Sequence, residues 1–124
     1  MPASIVVVLD EADFAERVSR LLASVGHDAI ALPNSMAALA ALQNARQIEL
    51  LVTCADFGPG QPNGVALARM AKSKRPGIKV LFVGEDNLQP FVEGLGTLMV
   101  SPVTSEQVAA AVTDLLTPEP PRAA

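Results

Sequence analysis

The stretch IELLVTC, residues 48–54, decides the fold of this 124-residue chain. It has the length and apolar character of a β-strand, and a loop rich in glycine and proline follows it. A second apolar run, SIVVVL at residues 4–9, ends just before Asp10 and Glu11. Since open parallel sheets bind ligands at the carboxyl ends of their strands, we expect Cys54 and these acidic residues to meet at one sheet edge.

Further apolar runs extend this pattern along the chain. They lie at residues 29–32, 80–83 and 98–100. Between the runs, apolar residues recur at helical spacing, and we expect helices over 14–25, 35–45, 64–73 and 104–116, with a weaker one around Phe91. The alternation, with all strands apolar on both faces, predicts a parallel sheet covered by helices on each side. A flavodoxin-like (βα)5 fold with strand order 2-1-3-4-5 is the expected topology.

Residues with capping chemistry mark the starts of two helices. Asn34 or Ser35 can accept hydrogen bonds from the first amides of the second helix. Thr104 and Gln107 have the spacing of a capping box before the last helix. Pro90 and two nearby glycines leave room for only one or two turns in the fourth helix.

Composition restricts the class of protein. The net charge of −4 gives no general attraction to nucleic acid or anionic lipid, so we expect neither partner. The single cysteine excludes an internal disulfide, and no Cys/His spacing fits a zinc site. The first apolar run is too short for a membrane span, and we expect a cytoplasmic protein with one domain over 1–117 and a disordered tail over 118–124.

Two stretches suggest a family. They are VVVLDEADFAERVSRLL at residues 6–22 and NGVALARMAKSKRPGIKVLFVG at residues 63–84. In order and spacing, residues 4–117 resemble the receiver domain of bacterial two-component response regulators, a CheY-like fold. Ser101-Pro102 stands where that family has Lys-Pro.

The resemblance implies a particular phosphoryl-transfer chemistry. In the family, an Asp at the end of the third strand takes a phosphoryl group from a histidine kinase. An acidic pair after the first strand holds Mg²⁺, which neutralises the phosphoryl charge. A Thr or Ser ends the fourth strand, a Lys ends the fifth, and both contact the phosphoryl oxygens.

Most of these groups are replaced in this chain. Cys54 stands at the phospho-acceptor position, and Leu9 with Asp10 stands at the acidic pair, where Glu11 could substitute for the missing partner. The remaining replacements are Val83 for the hydroxyl, Ser101 for the lysine and Leu98 for the switch aromatic of the fifth strand. By analogy with a deleted oxyanion-hole donor, each positioned group in such a site can be worth roughly 2.7–4 kcal/mol, so losing four should abolish ordinary turnover.

Three alternatives remain open from the sequence. Asp56 could be the acceptor, with Asp10 and Glu11 holding Mg²⁺, because its spacing to Gly64 is also typical of receivers. Cys54 could be a thiol redox sensor rather than a small buried hydrophobe. The chain could also be a plain flavodoxin-like ligand-binding module.

The resulting prediction is a degenerate receiver, or pseudo-receiver, that is not an enzyme and needs no cofactor. We expect it to act in two-component phosphorelay signalling by binding a histidine kinase, a phosphotransferase or another regulator. The face formed by the fourth helix, the fifth strand and the fifth helix is the expected contact surface, and a homodimer could form through it.

Overall fold

The computed structural model describes residues 4–44, 48–54 and 64–116. The strands are β1 (Ser4–Val8), β2 (Asp28–Ala31), β3 (Leu50–Cys54), β4 (Lys79–Gly84) and β5 (Thr97–Val100). The helices are α1 (Ala12–Ser24), α2 (Ser35–Asn44), α3 (Gly64–Lys74), α4 (Gln89–Val92) and α5 (Ser105–Leu116). A 3₁₀ turn at Asp86–Leu88 precedes α4.

The strands form one parallel sheet in the order β2-β1-β3-β4-β5. This confirms the predicted flavodoxin-like topology. Strand β3 lies at the centre, and all five of its residues are buried. The sheet therefore has two covered faces, as a parallel sheet requires.

Each face of the sheet carries its own apolar cluster. The residues of β3 alternate between the two clusters, because successive side chains in a strand point to opposite faces. Val52 joins the cluster that contains Leu22 of α1 and Val112 of α5. Leu51 joins the cluster that contains Leu42 of α2 and Leu67 of α3. The three-layer arrangement follows from this alternation.

The two edge strands differ from the prediction that every strand is covered on both faces. In β2, Asp28 and Ile30 are exposed, and in β5, Thr97 and Val100 are exposed. Ile30 has 54% of its surface accessible and Val100 has 50%. Both strands lie at the periphery of the sheet, where the helices that cover the central strands leave these residues exposed.

The predicted caps form hydrogen bonds. The backbone N–H of Ala37 donates to Oδ1 of Asn34 at 2.8 Å. At the start of α5, the backbone N–H of Gln107 donates to Oγ1 of Thr104 at 3.0 Å, and the Thr104 N–H donates to Oε1 of Gln107 at 2.9 Å. This reciprocal pair is a complete capping box.

The longest helix in the described part of the chain, α1, has 13 residues. None of the helices there combines the length and the apolar character that a membrane span requires.

Candidate functional site

The register of the sheet brings four strand ends together. Cys54, the last residue of β3, lies opposite Val83 of β4. The backbone N–H of Ser101, just after β5, donates to the carbonyl of Gly84 at 2.8 Å. Leu9 follows Val8, which pairs with Thr53 beside Cys54. The carboxyl ends of β1, β3, β4 and β5 therefore form one edge.

A cleft of about 660 Å³ lies at this edge. It is lined by Leu9, Asp10, Glu11, Phe14, Cys54, Val83, Gly84, Glu85, Asn87, Leu88, Ser101, Pro102 and Val103. The lining includes six residues that the sequence singled out: Leu9, Asp10, Glu11, Cys54, Val83 and Ser101. The predicted juxtaposition of strand ends is present in the fold.

Cys54 belongs to the floor of the cleft. Only 7% of its surface is exposed, and it packs in the same apolar cluster as Leu9 and Val52. The hydroxyl of Thr53, which is fully buried, donates to the carbonyl of Cys54 at 3.0 Å. This hydrogen bond satisfies the one polar side chain that β3 buries beside the cleft.

Asp10 and Glu11 lie on the rim and are exposed. Glu11 is the N-cap residue of α1, yet its side chain makes no capping hydrogen bond. The carboxylates therefore do not perform direct capping, although Asp13 in the first turn of α1 still complements the helix dipole. Among the described residues, no group of three or more metal-ligating side chains has the arrangement of a metal site.

Leu98 does not line the cleft. It pairs with Phe82 in the sheet and packs on the opposite face, against the cluster that includes Val92. Leu98, which the resemblance predicts at the switch position, is thus partly buried beside α4 and does not reach the strand ends.

Asp56, the alternative acceptor, lies outside the described residues, as do the glycines and prolines of the loop after β3. The alternative in which Asp56 accepts a phosphoryl group stays a prediction.

Sequence reasoning missed several lining residues. Glu85 and Asn87 follow β4, and Phe14 lies in the first turn of α1. The rule that located Asp10 after β1 could also have located Glu85 after Gly84, because both follow an apolar strand. Phe14 carried no such signal, since its spacing fits an inward-facing helix residue equally well.

The last strand leads into α5 by a short connection. The Ser101–Pro102 peptide bond is cis. Beyond it, the hydroxyl of Ser105 donates to Oε1 of Glu106 at 2.8 Å. This hydrogen bond lowers the pKa of the exposed Glu106 carboxyl, because it favours the ionised form.

The charge of the cleft decides what it can bind. The described lining residues include Asp10, Glu11 and Glu85 but no Lys, Arg or His. A phosphoryl group carries negative charge and needs cations or donors around it. The described residues repel such a group, whereas they suit a positively charged one.

No protein-family sequence model matches the chain, and no curated protein matches it by sequence. Solved structures do match its fold. The response regulator receiver domain protein from Clostridium thermocellum has a TM-score of 0.74 and 21% identity, covering 90% of this chain and 92% of that one. The chemotaxis response regulator CheY4 of Vibrio cholerae has a TM-score of 0.80 and 18% identity, covering 94% and 100%.

The chain has the receiver-domain fold. A longer protein, NtrX from Brucella abortus, matches with a TM-score of 0.80 and 23% identity over 94% of this chain. The match covers 27% of the NtrX chain. The predicted CheY-like fold is therefore confirmed, and identities of this size establish the fold alone.

Proposed function

We propose that this chain is a degenerate receiver domain that acts in two-component signalling by binding other proteins, without being phosphorylated on an aspartate. The observation that carries the proposal is the composition of the cleft. At the four strand ends of the receiver fold stand Leu9, Cys54, Val83 and Ser101. None of these side chains is a carboxylate or a cation.

The physical argument concerns charge. A receiver that accepts a phosphoryl group needs an ionised nucleophile, and a buried thiol at the end of β3 is a poor substitute because phosphoryl-transfer sites depend on positioned charges. Mg²⁺ prefers several oxygen ligands, and here Leu9 and Cys54 supply none. Asp10 and Glu11 remain, but the described residues that line the cleft include no lysine to contact the phosphoryl oxygens.

The intact scaffold supports a binding role. The central strand β3 is fully buried and both capped helices are in place, so the domain presents a defined surface to a partner. The expected partners are a histidine kinase, a phosphotransferase or another regulator in the cytoplasm. The face formed by α4, β5 and α5 is the proposed contact or dimer surface, and Phe91 and Val100 are exposed there. We expect no enzymatic activity.

The test is phosphorylation by a small phosphodonor. The full chain is incubated with acetyl phosphate and millimolar Mg²⁺, and its intact mass is measured. We expect no phosphoryl adduct. A variant carrying Leu9→Asp, Cys54→Asp, Val83→Thr and Ser101→Lys serves as the positive control, after circular dichroism has checked its folding.

A stoichiometric adduct on the natural chain would overturn the proposal. Loss of that adduct in Asp56→Asn would identify Asp56 as the acceptor and establish the phosphorylatable alternative. Peroxide treatment followed by mass measurement tests the redox alternative, and the burial of Cys54 predicts slow reaction.

A further inference from the structure

The cleft at the carboxyl edge combines an apolar floor with an acidic rim. Its floor is apolar, formed by Leu9, Cys54 and Val83, and the first two are buried. Its rim carries Asp10, Glu11 and Glu85, all exposed. Its volume of about 660 Å³ lies within the range of pockets that hold small ligands, about 300–1,000 Å³.

The rim carboxylates are available to an external partner. An ion pair joins Arg20 to Glu16 on the surface of α1, away from the cleft. Asp10, Glu11 and Glu85 make no ion pair with another described residue. With no cation among the described lining residues, the three carboxylates give the cleft a negative potential.

Other classes of ligand fit these features poorly. A phosphate group would be repelled by the rim. A divalent metal would need ligands close together, and the described residues contain no such group. A neutral apolar ligand would remove water from the carboxylates without replacing their hydrogen bonds, which costs free energy.

We propose that the cleft receives an arginine side chain from the protein partner. The methylene groups of arginine would contact the apolar floor while its guanidinium reaches the rim, as long cationic side chains commonly do. A guanidinium is less strongly hydrated than an ammonium and has five donors, which suits several carboxylates at once. This inference rests on the proposed binding function and names the chemistry of the partner.

The test is an NMR titration of the full ¹⁵N-labelled chain. The probe is the tripeptide Ac-Ala-Arg-Ala-amide, and its control replaces arginine by citrulline, which has nearly the same shape but no charge. We expect saturable shifts in the amides of residues 9–14, 83–88 and 101–103. We expect binding of the citrulline peptide to be about fivefold weaker, the size of effect that one exposed ion pair gives.

A lysine placed in the cleft should compete with the probe. Ser101 is exposed, so Ser101→Lys should preserve the fold while neutralising part of the rim. We expect this variant to bind the arginine peptide about fivefold more weakly than the natural chain does. Gln43→Lys adds the same charge on α2, outside the cleft, and should change binding by less than about twofold because salt screens distant charges.

Several results would overturn the inference: equal binding of the two peptides, shifts confined to another surface, no shift at all, or equal weakening by Ser101→Lys and Gln43→Lys. The titration contains neither Mg²⁺ nor a phosphodonor, so it is independent of the phosphorylation assay. An adduct with acetyl phosphate together with arginine binding would refute the proposed function alone. If neither an adduct nor arginine binding is observed, only the arginine site is refuted and the proposed function stands.

Discussion

The two ends of the sheet treat their charged residues differently. At the amino end, Nζ of Lys72 donates to the carbonyl of Ile78 at 2.9 Å, and Nζ of Lys79 donates to the carbonyl of Leu115 at the end of α5. At the carboxyl end, Asp10 and Glu85 line an open cleft and make no ion pair with a described residue.

Charged side chains have different roles at the two ends. The lysines satisfy carbonyls that a helix end or a turn would otherwise leave without a donor, so their charge supports the scaffold. The carboxylates stabilise no described neighbour, so their charge is available for recognition. We therefore expect removal of charge at the amino end to lower stability, and removal of charge at the carboxyl end to weaken binding.

The largest expected effect is at Gly96, where β5 approaches β4 at the amino end. A Cβ at Gly96 would lie 2.3 Å from the carbonyl oxygen of Val80. Gly96→Ala should therefore destabilise the protein by about 1–3 kcal/mol, measured by urea unfolding. Gly77→Ala in the neighbouring turn is the control, because its Cβ would meet nothing within 4 Å. Equal stability of the two variants would show that the strands can separate locally.

A carboxylate introduced at Cys54, in the floor of the cleft, should have the second-largest effect on stability. Cys54→Asp buries a carboxylate beside the acidic rim and should cost about 1–3 kcal/mol at neutral pH. Burial and the neighbouring carboxylates raise the pKa of the new carboxyl in the folded state. The loss of stability should therefore become smaller as pH falls and this carboxyl is protonated. Cys54→Asn, which has the same shape and no charge, should show no such pH dependence in urea unfolding. Parallel pH profiles would contradict the burial of this position.

A direct comparison of the two ends removes one charge from the amino end and two from the carboxyl end. Lys72→Met leaves the carbonyl of Ile78 without its donor and should cost about 1 kcal/mol. Asp10→Asn combined with Glu85→Gln should change stability by less than about 0.5 kcal/mol, since neither carboxylate has an ionic partner among the described residues. Both are measured by urea unfolding. Equal losses of stability in the two variants would contradict the different roles of charge at the two ends of the sheet.

The smallest effect concerns Glu106, a carboxylate at the carboxyl end that does have a partner. Its pKa is lowered by the hydrogen bond from Ser105, so the stability it contributes is present above its ordinary pKa and is lost as pH falls through the lowered pKa. Ser105→Ala should raise the pKa of Glu106 towards its ordinary value, measured by ¹³C NMR titration. Glu93→Gln, on another exposed carboxylate, should leave the pKa of Glu106 unchanged.

The central part of the fold could be predicted because its signals are local and strong. Strand β3 is apolar except for Thr53, and the capping box of Thr104 and Gln107 has a fixed spacing. The edges were harder, because the exposure of Ile30 depends on where the covering helices stop. The fourth helix was expected to be short, and Pro90 falls within a four-residue helix after a 3₁₀ turn.

The site was predictable as far as strand ends define it. The end of an apolar strand predicts Cys54 at this edge, whereas Leu9, Val83 and Ser101 follow from the resemblance to receiver domains. Glu85 was missed, although it follows β4 as Asp10 follows β1. The absence of cations among the described lining residues could not be derived from the sequence, because a distant lysine could have folded back into the cleft.

The strand order has a consequence for synthesis on the ribosome. β1 pairs with β2, its neighbour along the chain, and with β3, where Ile5 lies beside Leu50. Until β3 emerges, one side of β1 exposes unpaired backbone groups next to a run of valines, which invites association between nascent chains. Fragments that end after α2 should therefore precipitate, whereas those that include β3 leave β1 with no open side.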